Sequence, residues 1–132
     1  MSKPHVHARS SAKKFGGELD DYLEIHEFMD SSKSAIADNR HRALTHNSWF
    51  IQNVLTRVFG NYITNSNGRL ISVAQIGEDH ILEDFGKKFI PSAQDYLGEI
   101  EFKSWMNNGR GNSYPASYKK LQESKKTAVI GD

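Results

Sequence analysis

Asp38-Asn39-Arg40-His41-Arg42-Ala43-Leu44-Thr45-His46-Asn47-Ser48-Trp49-Phe50 is the stretch on which the architecture turns. Asp38 can cap a helix, because its carboxylate accepts hydrogen bonds from the exposed amides of a first turn. Leu44, Ile51, Leu55 and Val58 follow as a buried seam at helical spacing, and Gly60 supplies the stop. The spacing predicts a helix from Asp38 to about Phe59, the longest in the chain and the central one. Between Asp38 and His46 lie one carboxylate, two imidazoles and two guanidinium groups, the side chains that bind metal ions and phosphate.

Upstream, Phe15-Gly16-Gly17 breaks the chain, and residues 1–14 read as an extended or loosely helical lead-in. Glu18 to Ile36 reads as the first helix, with Leu19, Tyr22, Leu23, Met29 and Ile36 as its apolar stripe. His26, Asp30 and Lys33 share a face of it at i, i+4 and i+7. Downstream, Asn67-Gly68 lies between β-favouring residues and predicts a hairpin near residues 62–74. Gly77-Glu78-Asp79-His80 opens a third helix running to about Phe85, with its acids at the positive end. Ser92 caps a last helix, Ala93 to about Met106. The expected fold is mainly α: a small helical bundle with one inserted β-hairpin, forming a single domain over residues 1–106. Residues 107–132 read as a flexible basic tail.

Composition narrows the function classes. The 132 residues are 37% hydrophobic and 25% charged, as a folded domain requires, and the net charge is +1. With that charge, and with few bases among the aromatics, nucleic acid is not an expected partner. There is no cysteine, which removes disulfides, thiolate zinc sites and thiol nucleophiles. The start lacks the apolar run of a secretory signal, and no run of about 18 apolar residues occurs to span a membrane. A cytoplasmic protein is the expectation. Charge is unevenly placed: residues 18–30 carry six acids and no base, and both ends of the chain are basic.

Six histidines is about twice a typical share, and imidazole with carboxylate is the donor set of zinc, manganese and iron. His26 and Asp30 at i, i+4 can face one ion, as can Asp38 and His41 at i, i+3. His41 and His46 lie about 140° apart on an ideal helix, so both reach one ion only if that first turn is irregular; two adjacent ions, or one histidine as ligand and one as acid–base, would also fit. His80 completes the candidate ligands His26, Asp30, Asp38, His41, His46 and His80. Glu78 or Asp79 is the candidate base, and Arg42 with Lys33 the candidate phosphate clamp. Each of these residues also has a plain structural reading: a satisfied core histidine, a helix cap or a surface ion pair.

Two resemblances add to this. His7-Ala8-Arg9-Ser10-Ser11 through Phe15-Gly16-Gly17, Asp21-Tyr22-Leu23-Glu24-Ile25-His26, the Asp38–His46 stretch, Ile63-Thr64-Asn65-Ser66-Asn67-Gly68-Arg69 and Gly77-Glu78-Asp79-His80 with Asp84-Phe85-Gly86 together resemble a small bacterial and phage family of unknown function. More locally, His41-Arg42-Ala43-Leu44-Thr45-His46-Asn47 is similar to the His-Arg-x-x-Thr-His-Ser segment of all-α metal-dependent hydrolases related to zinc-dependent phospholipase C. That similarity implies metal-site roles for His41, His46 and Asp38, with Asn47 standing where those proteins have serine. The leading expectation is a divalent-metal-dependent hydrolase of a phosphoester. The alternatives are a non-enzymatic binder that sequesters a nucleotide or blocks a host protein, and a structural module whose histidines are buried hydrogen-bonding groups.

Overall fold

Pro4 presets the backbone for the first turn of a helix, Lys13 and Lys14 suit its negative end, and α1 (Pro4–Phe15) results. The expected lead-in is thus a full helix. Its buried side carries His7, Ala8, Ser11 and Phe15, so half of that face is polar and leaves no hydrophobic period to read. Gly16 and Gly17 then turn the chain with φ of 84° and 80°. In this computed structural model the described residues are 3–98 and 100–107; the expected tail lies, from residue 108 on, outside them.

The helix expected over 18–36 is broken at both ends. A 3-10 turn (Leu19–Asp21) closed by a Glu18–Asp21 capping box leads into α2 (Leu23–Met29), and a second 3-10 turn (Ser31–Ser34) follows. Serine hydroxyls explain the second break: Ser31 Oγ donates to the Phe28 carbonyl and Ser34 Oγ to that of Ser31, competing with the helical ladder. Tyr22, Ile25, His26 and Met29 are buried, whereas Leu19 and Leu23 are only partly so.

The helix expected over 38–59 is also segmented. After a 3-10 turn (Asn39–His41) comes α3 (Arg42–Thr45), and His46 leaves helical geometry with φ −98° and ψ 61°. Asn47 restarts the helix, its side-chain oxygen accepting from the Phe50 amide. α4 (Ser48–Phe50), a π-helical segment (Ile51–Leu55) and α5 (Thr56–Phe59) then run on to Gly60. Of the expected seam, Ile51 and Leu55 are buried, but Leu44 and Val58 are exposed. The break at His46 uncouples Leu44 from the later turns, and the wider π turn rotates Val58 off the buried face.

The hairpin forms as expected. Antiparallel β1 (Tyr62–Thr64) and β2 (Leu70–Ser72) pair Tyr62 with Ser72, Ile63 with Ile71 and Thr64 with Leu70. Gly68 takes φ 80° in the connecting loop. Asn65 anchors that loop to α1, its amide donating to the Phe15 carbonyl, and Asp21 accepts from the Ser66 amide and hydroxyl.

The third helix begins four residues earlier than expected. Ser72 accepts from the Gln75 amide and caps α6 (Val73–Asp84). Val73, Ile76, Gly77, His80 and Ile81 are buried along it. A Cβ on Gly77 would stand 2.6 Å from Leu55 Cδ2 and closer still to Ile51 Cδ1, so only glycine allows the π segment this close. The apolar core gathers Ala8, Phe15, Tyr22, Ile25, Met29, Phe50, Ile51, Leu55, Ile71, Val73, Ile76 and Ile81.

The described residues up to 93 form one compact unit, and those from 94 on belong to a second. In the second, the helix expected to reach Met106 is short. α7 (Ala93–Leu97) stops at Gly98, and a 3-10 turn occupies Ser104–Asn107. Among the described residues, no helix is long and apolar enough to cross a membrane.

Candidate metal centre

Four segments each turn an i, i+4 pair of polar side chains inward: His7 and Ser11 on α1, His26 and Asp30 on α2 and its end, His41 and Thr45 beside α3, and His80 and Asp84 on α6. Residues four apart share a helix face, so each pair arrives together. The irregular backbone at His46 adds a fifth imidazole. His7, His26, His41, His46 and His80 are all essentially inaccessible to solvent.

Four of these residues converge on one point. Asp30, His46, His80 and Asp84 each offer a donor atom within 4.8 Å of the others, a buried His/Asp cluster that could hold a metal ion. His46 Nε2 is 2.8 Å from Asp84 Oδ2 and 3.8 Å from Asp30 Oδ1. His80 Nε2 is 3.2 Å from Asp30 Oδ1 and 3.3 Å from Asp84 Oδ2. A tetrahedral ion with bonds of about 2.0–2.1 Å spaces its donors by roughly 3.3 Å, and the four histidine–carboxylate spacings lie on either side of that value.

The electrostatics are those of a cation site. Burial alone would raise the Asp30 carboxyl, but His80, Lys33 and His46 bring it below its usual value. Asp84, also buried, is held far lower by His46, His7 and His80. Burial lowers His46 and His41. It also pushes His26 down to about 3, helped by repulsion from His80 and His7. Burial opposes charge on His80 too, yet the Asp30 and Asp84 carboxylates overcome it and raise this one imidazole. Two buried carboxylates so close together require compensating positive charge; His80, Lys33 and Arg42 stand beside them, and the same cluster could hold a metal ion.

Around the four lies a second layer that orients them. His80 Nδ1 lies 2.9 Å from His26 Nδ1, and His26 Nε2 lies 2.7 Å from Ser11 Oγ. His46 Nδ1 lies 2.9 Å from Thr45 Oγ1, Thr45 Oγ1 lies 3.0 Å from Ser32 Oγ, and Ser32 Oγ lies 2.8 Å from His41 Nδ1. His7 sits between carboxylates, with Nε2 3.1 Å from Asp84 and Nδ1 2.6 Å from Glu83, and its ring stacks on His80 at 3.8 Å. Both converging histidines therefore turn Nε2 to the centre and Nδ1 to a supporting group.

Of the residues expected at the site, Asp30, His46 and His80 stand among the four donors. His26 and His41 are buried in the second layer. Asp38 is apart from it: its side chain is 55% exposed and grips Arg40, which holds its carboxyl at about 2. It caps the 3-10 turn, as its position before the helix foretold, and points to solvent. Lys33 Nζ is 3.8 Å from Asp30, and Arg42 Nη2 is 3.7 Å from Asp84, so one cation flanks each carboxylate. Glu78 and Asp79 are mid-helix rather than at a helix start. Counting back from His80 they sit about 200° and 100° around α6, off its inward face. Asp79 pairs with Lys14 at 2.9 Å in a shallow cleft between α1 and α6.

Asp84 and His7 were not foreseen as members. His80-x-x-x-Asp84 repeats the spacing of His26-x-x-x-Asp30 and could have disclosed the first. His7 and Ser11 show the same spacing in a segment not read as a firm helix.

Residues 2–106 match the model of a family described as a domain of unknown function (DUF6915). No curated protein and no solved structure matches the chain.

Proposed function

The chain belongs to this family of unknown function, and we propose that it is a divalent-metal-dependent hydrolase acting on a phosphoester. Asp30, His46, His80 and Asp84 would hold zinc, manganese or iron. The supporting observation is the spacing of the four donor atoms, with Arg42 and Lys33 beside the two carboxylates. Bound there, the ion would acidify water and draw off the negative charge that builds up during displacement at phosphorus. The two carboxylates hold the ion, the second layer fixes which imidazole nitrogen faces it, and the two cations suit a phosphoryl group.

A second reading rests on burial. The side chains of all four candidate ligands are almost fully enclosed, which is the character of closed sites rather than of sites with an open position. In that reading the same pocket serves a non-enzymatic binder that sequesters a nucleotide or blocks a host protein.

Elemental analysis of protein purified without a histidine tag tests the shared premise. One equivalent of metal that chelator removes, with a fall in melting temperature, is expected. Absence of stoichiometric metal together with an unchanged melting temperature in chelator overturns it. Metal-loaded protein is then offered generic phosphomonoesters and phosphodiesters. Turnover lost in chelator supports the hydrolase, and intact substrates with metal bound support the binder.

A further inference from the structure

Among the described residues, three buried side-chain atoms have no hydrogen-bond partner: Asp30 Oδ2, His41 Nε2 and Arg42 Nε. Folded proteins rarely bury such groups unsatisfied, so an unpaired polar atom points to something that the protein alone does not supply. All three belong to the His/Asp centre or flank it. What His41 Nε2 can bond to follows from the chain of hydrogen bonds behind it.

That chain runs from His46 Nδ1 through Thr45 Oγ1 and Ser32 Oγ to His41 Nδ1. Each hydroxyl has one proton, so a link that donates forward must accept from behind, and the chain has two consistent directions. Without an ion, His46 Nε2–H donates to Asp84 Oδ2 at 2.8 Å. Its Nδ1 is then bare and accepts from Thr45, Thr45 accepts from Ser32, and Ser32 accepts from His41 Nδ1–H. His41 Nε2 is left as a lone pair. With an ion on His46 Nε2, the proton of that ring moves to Nδ1 and donates to Thr45. Thr45 then donates to Ser32 and Ser32 to His41 Nδ1, and the proton of His41 moves to Nε2. Each of the four residues has one proton before and after, so none is gained or lost.

We infer that metal loading reverses this relay and turns His41 Nε2 from an acceptor into a buried N–H donor, which receives an oxygen of a phosphoryl group. The inference rests on the metal reading above and names the ligand of that site. Arg42 Nε–H, on the next residue, is also buried without a partner and would be a second donor to it, and a phosphoryl oxygen is the acceptor that suits a cation beside two N–H groups. His41 is thereby a binding residue, and Ser32 and Thr45 position its proton through His46.

The test is two-bond 1H–15N spectroscopy of the imidazoles in the full chain, apo and zinc-saturated, at neutral pH. His41 is expected as the Nδ1–H tautomer without zinc and the Nε2–H tautomer with it. Ser32→Ala removes one oxygen from the relay and should uncouple the tautomer from zinc. Inorganic phosphate and glycerol phosphate are then titrated into zinc-saturated protein. Losing one such donor should weaken both by about tenfold in His41→Phe; the tighter of the two in wild type identifies free phosphate or a monoester as the source. An identical His41 tautomer with and without zinc, or phosphate affinity unchanged in His41→Phe, overturns the inference while leaving the metal site standing. A wild-type protein that takes up none of zinc, manganese and iron overturns the metal reading and this inference with it.

Discussion

The two halves of α6 are built on one repeat, and only the second turns ionisable side chains inward. Its buried stripe begins with Val73, Ile76 and Gly77 and ends with His80 and Asp84, with the apolar Ile81 beside them. In the first half the missing side chain of Gly77 admits Ile51 and Leu55, and contact between hydrocarbon groups holds the helix. In the second half the same inward direction is occupied by an imidazole and a carboxylate, each costly to bury and tolerable only because it is bonded on several sides. Apolar packing needs nothing from outside and is indifferent to pH. The polar half depends on protons and, in our reading, on an ion. In that reading one end of the helix secures the fold and the other would carry the chemistry.

Removing Asp84 should strain this contrast most. Its two oxygens meet His7, His46 and His80, with Arg42 at 3.7 Å. Asp84→Ala leaves those groups buried without their acceptor, so we expect a loss of about 3–5 kcal/mol in urea unfolding with chelator present. We also expect no stoichiometric metal. A metal-free variant as stable as wild type would show that the polar half contributes nothing to folding. The matching change in the apolar half is Gly77→Val. Its branched side chain must displace Ile51 and Leu55 in a filled core, at a cost of roughly 1–3 kcal/mol, with metal still bound by the folded protein. Loss of metal from a folded Gly77→Val would mean that the two halves are not separable.

Acidity should separate them more gently. Above pH 6.5 His26 is neutral whether the chain is folded or unfolded. Below that, the unfolded chain takes up a proton that the folded one, with His26 at about 3, refuses, so stability declines as pH falls. Between pH 7 and pH 5 this one group accounts for roughly 2 kcal/mol. His80 acts in the opposite sense. Its folded value is raised by Asp30 and Asp84, so its contribution is whole below pH 6.5 and is lost as pH climbs through that elevated value. Urea midpoints of metal-free protein should therefore fall on both sides of an optimum. His26→Asn should flatten the acid limb alone, and an unaltered acid limb would remove His26 as its cause.

How far the sequence discloses all this depends on which half of such a helix one reads. Apolar periodicity announces Ile51, Leu55 and Met29, and Asn-Gly announces the hairpin, because those signals act locally. It misses α1, whose buried face alternates His7 and Ser11 with Ala8 and Phe15, since a hydrophobic stripe made partly of histidine and serine has no hydrophobic period. It overextends the segments at 18–36 and 38–59, because Ser31, Ser34 and Asn47 bond to their own backbone with an energy that no periodicity records. Those same interruptions place the site. A straight helix would hold His41 and His46 on different sides, and the irregular backbone at His46 lets both be buried in one centre. The pairing of Asp30 with His80 across 50 residues has no local trace. The i, i+4 spacing of His80 and Asp84 does.

The smallest expected effect belongs to a carboxylate that local similarity ties to metal and geometry does not. Asp38 opens the stretch holding His41 and His46, but its side chain is solvent-facing, engaged by Arg40, and placed to accept from the Arg40 amide. A carboxylate in that position stabilises one 3-10 turn and is screened by water. Asp38→Ala should leave metal stoichiometry at the wild-type value and barely move the melting temperature, while Asp30→Ala removes the metal. Elemental analysis of the two variants side by side decides the matter. Equal loss from both would put Asp38 at the ion in solution, and the turn over residues 38–41 would then have to swing inward when metal binds. Loss from Asp30→Ala alone means that burial beside His80, rather than position in the histidine-rich stretch, selects which acid holds the ion.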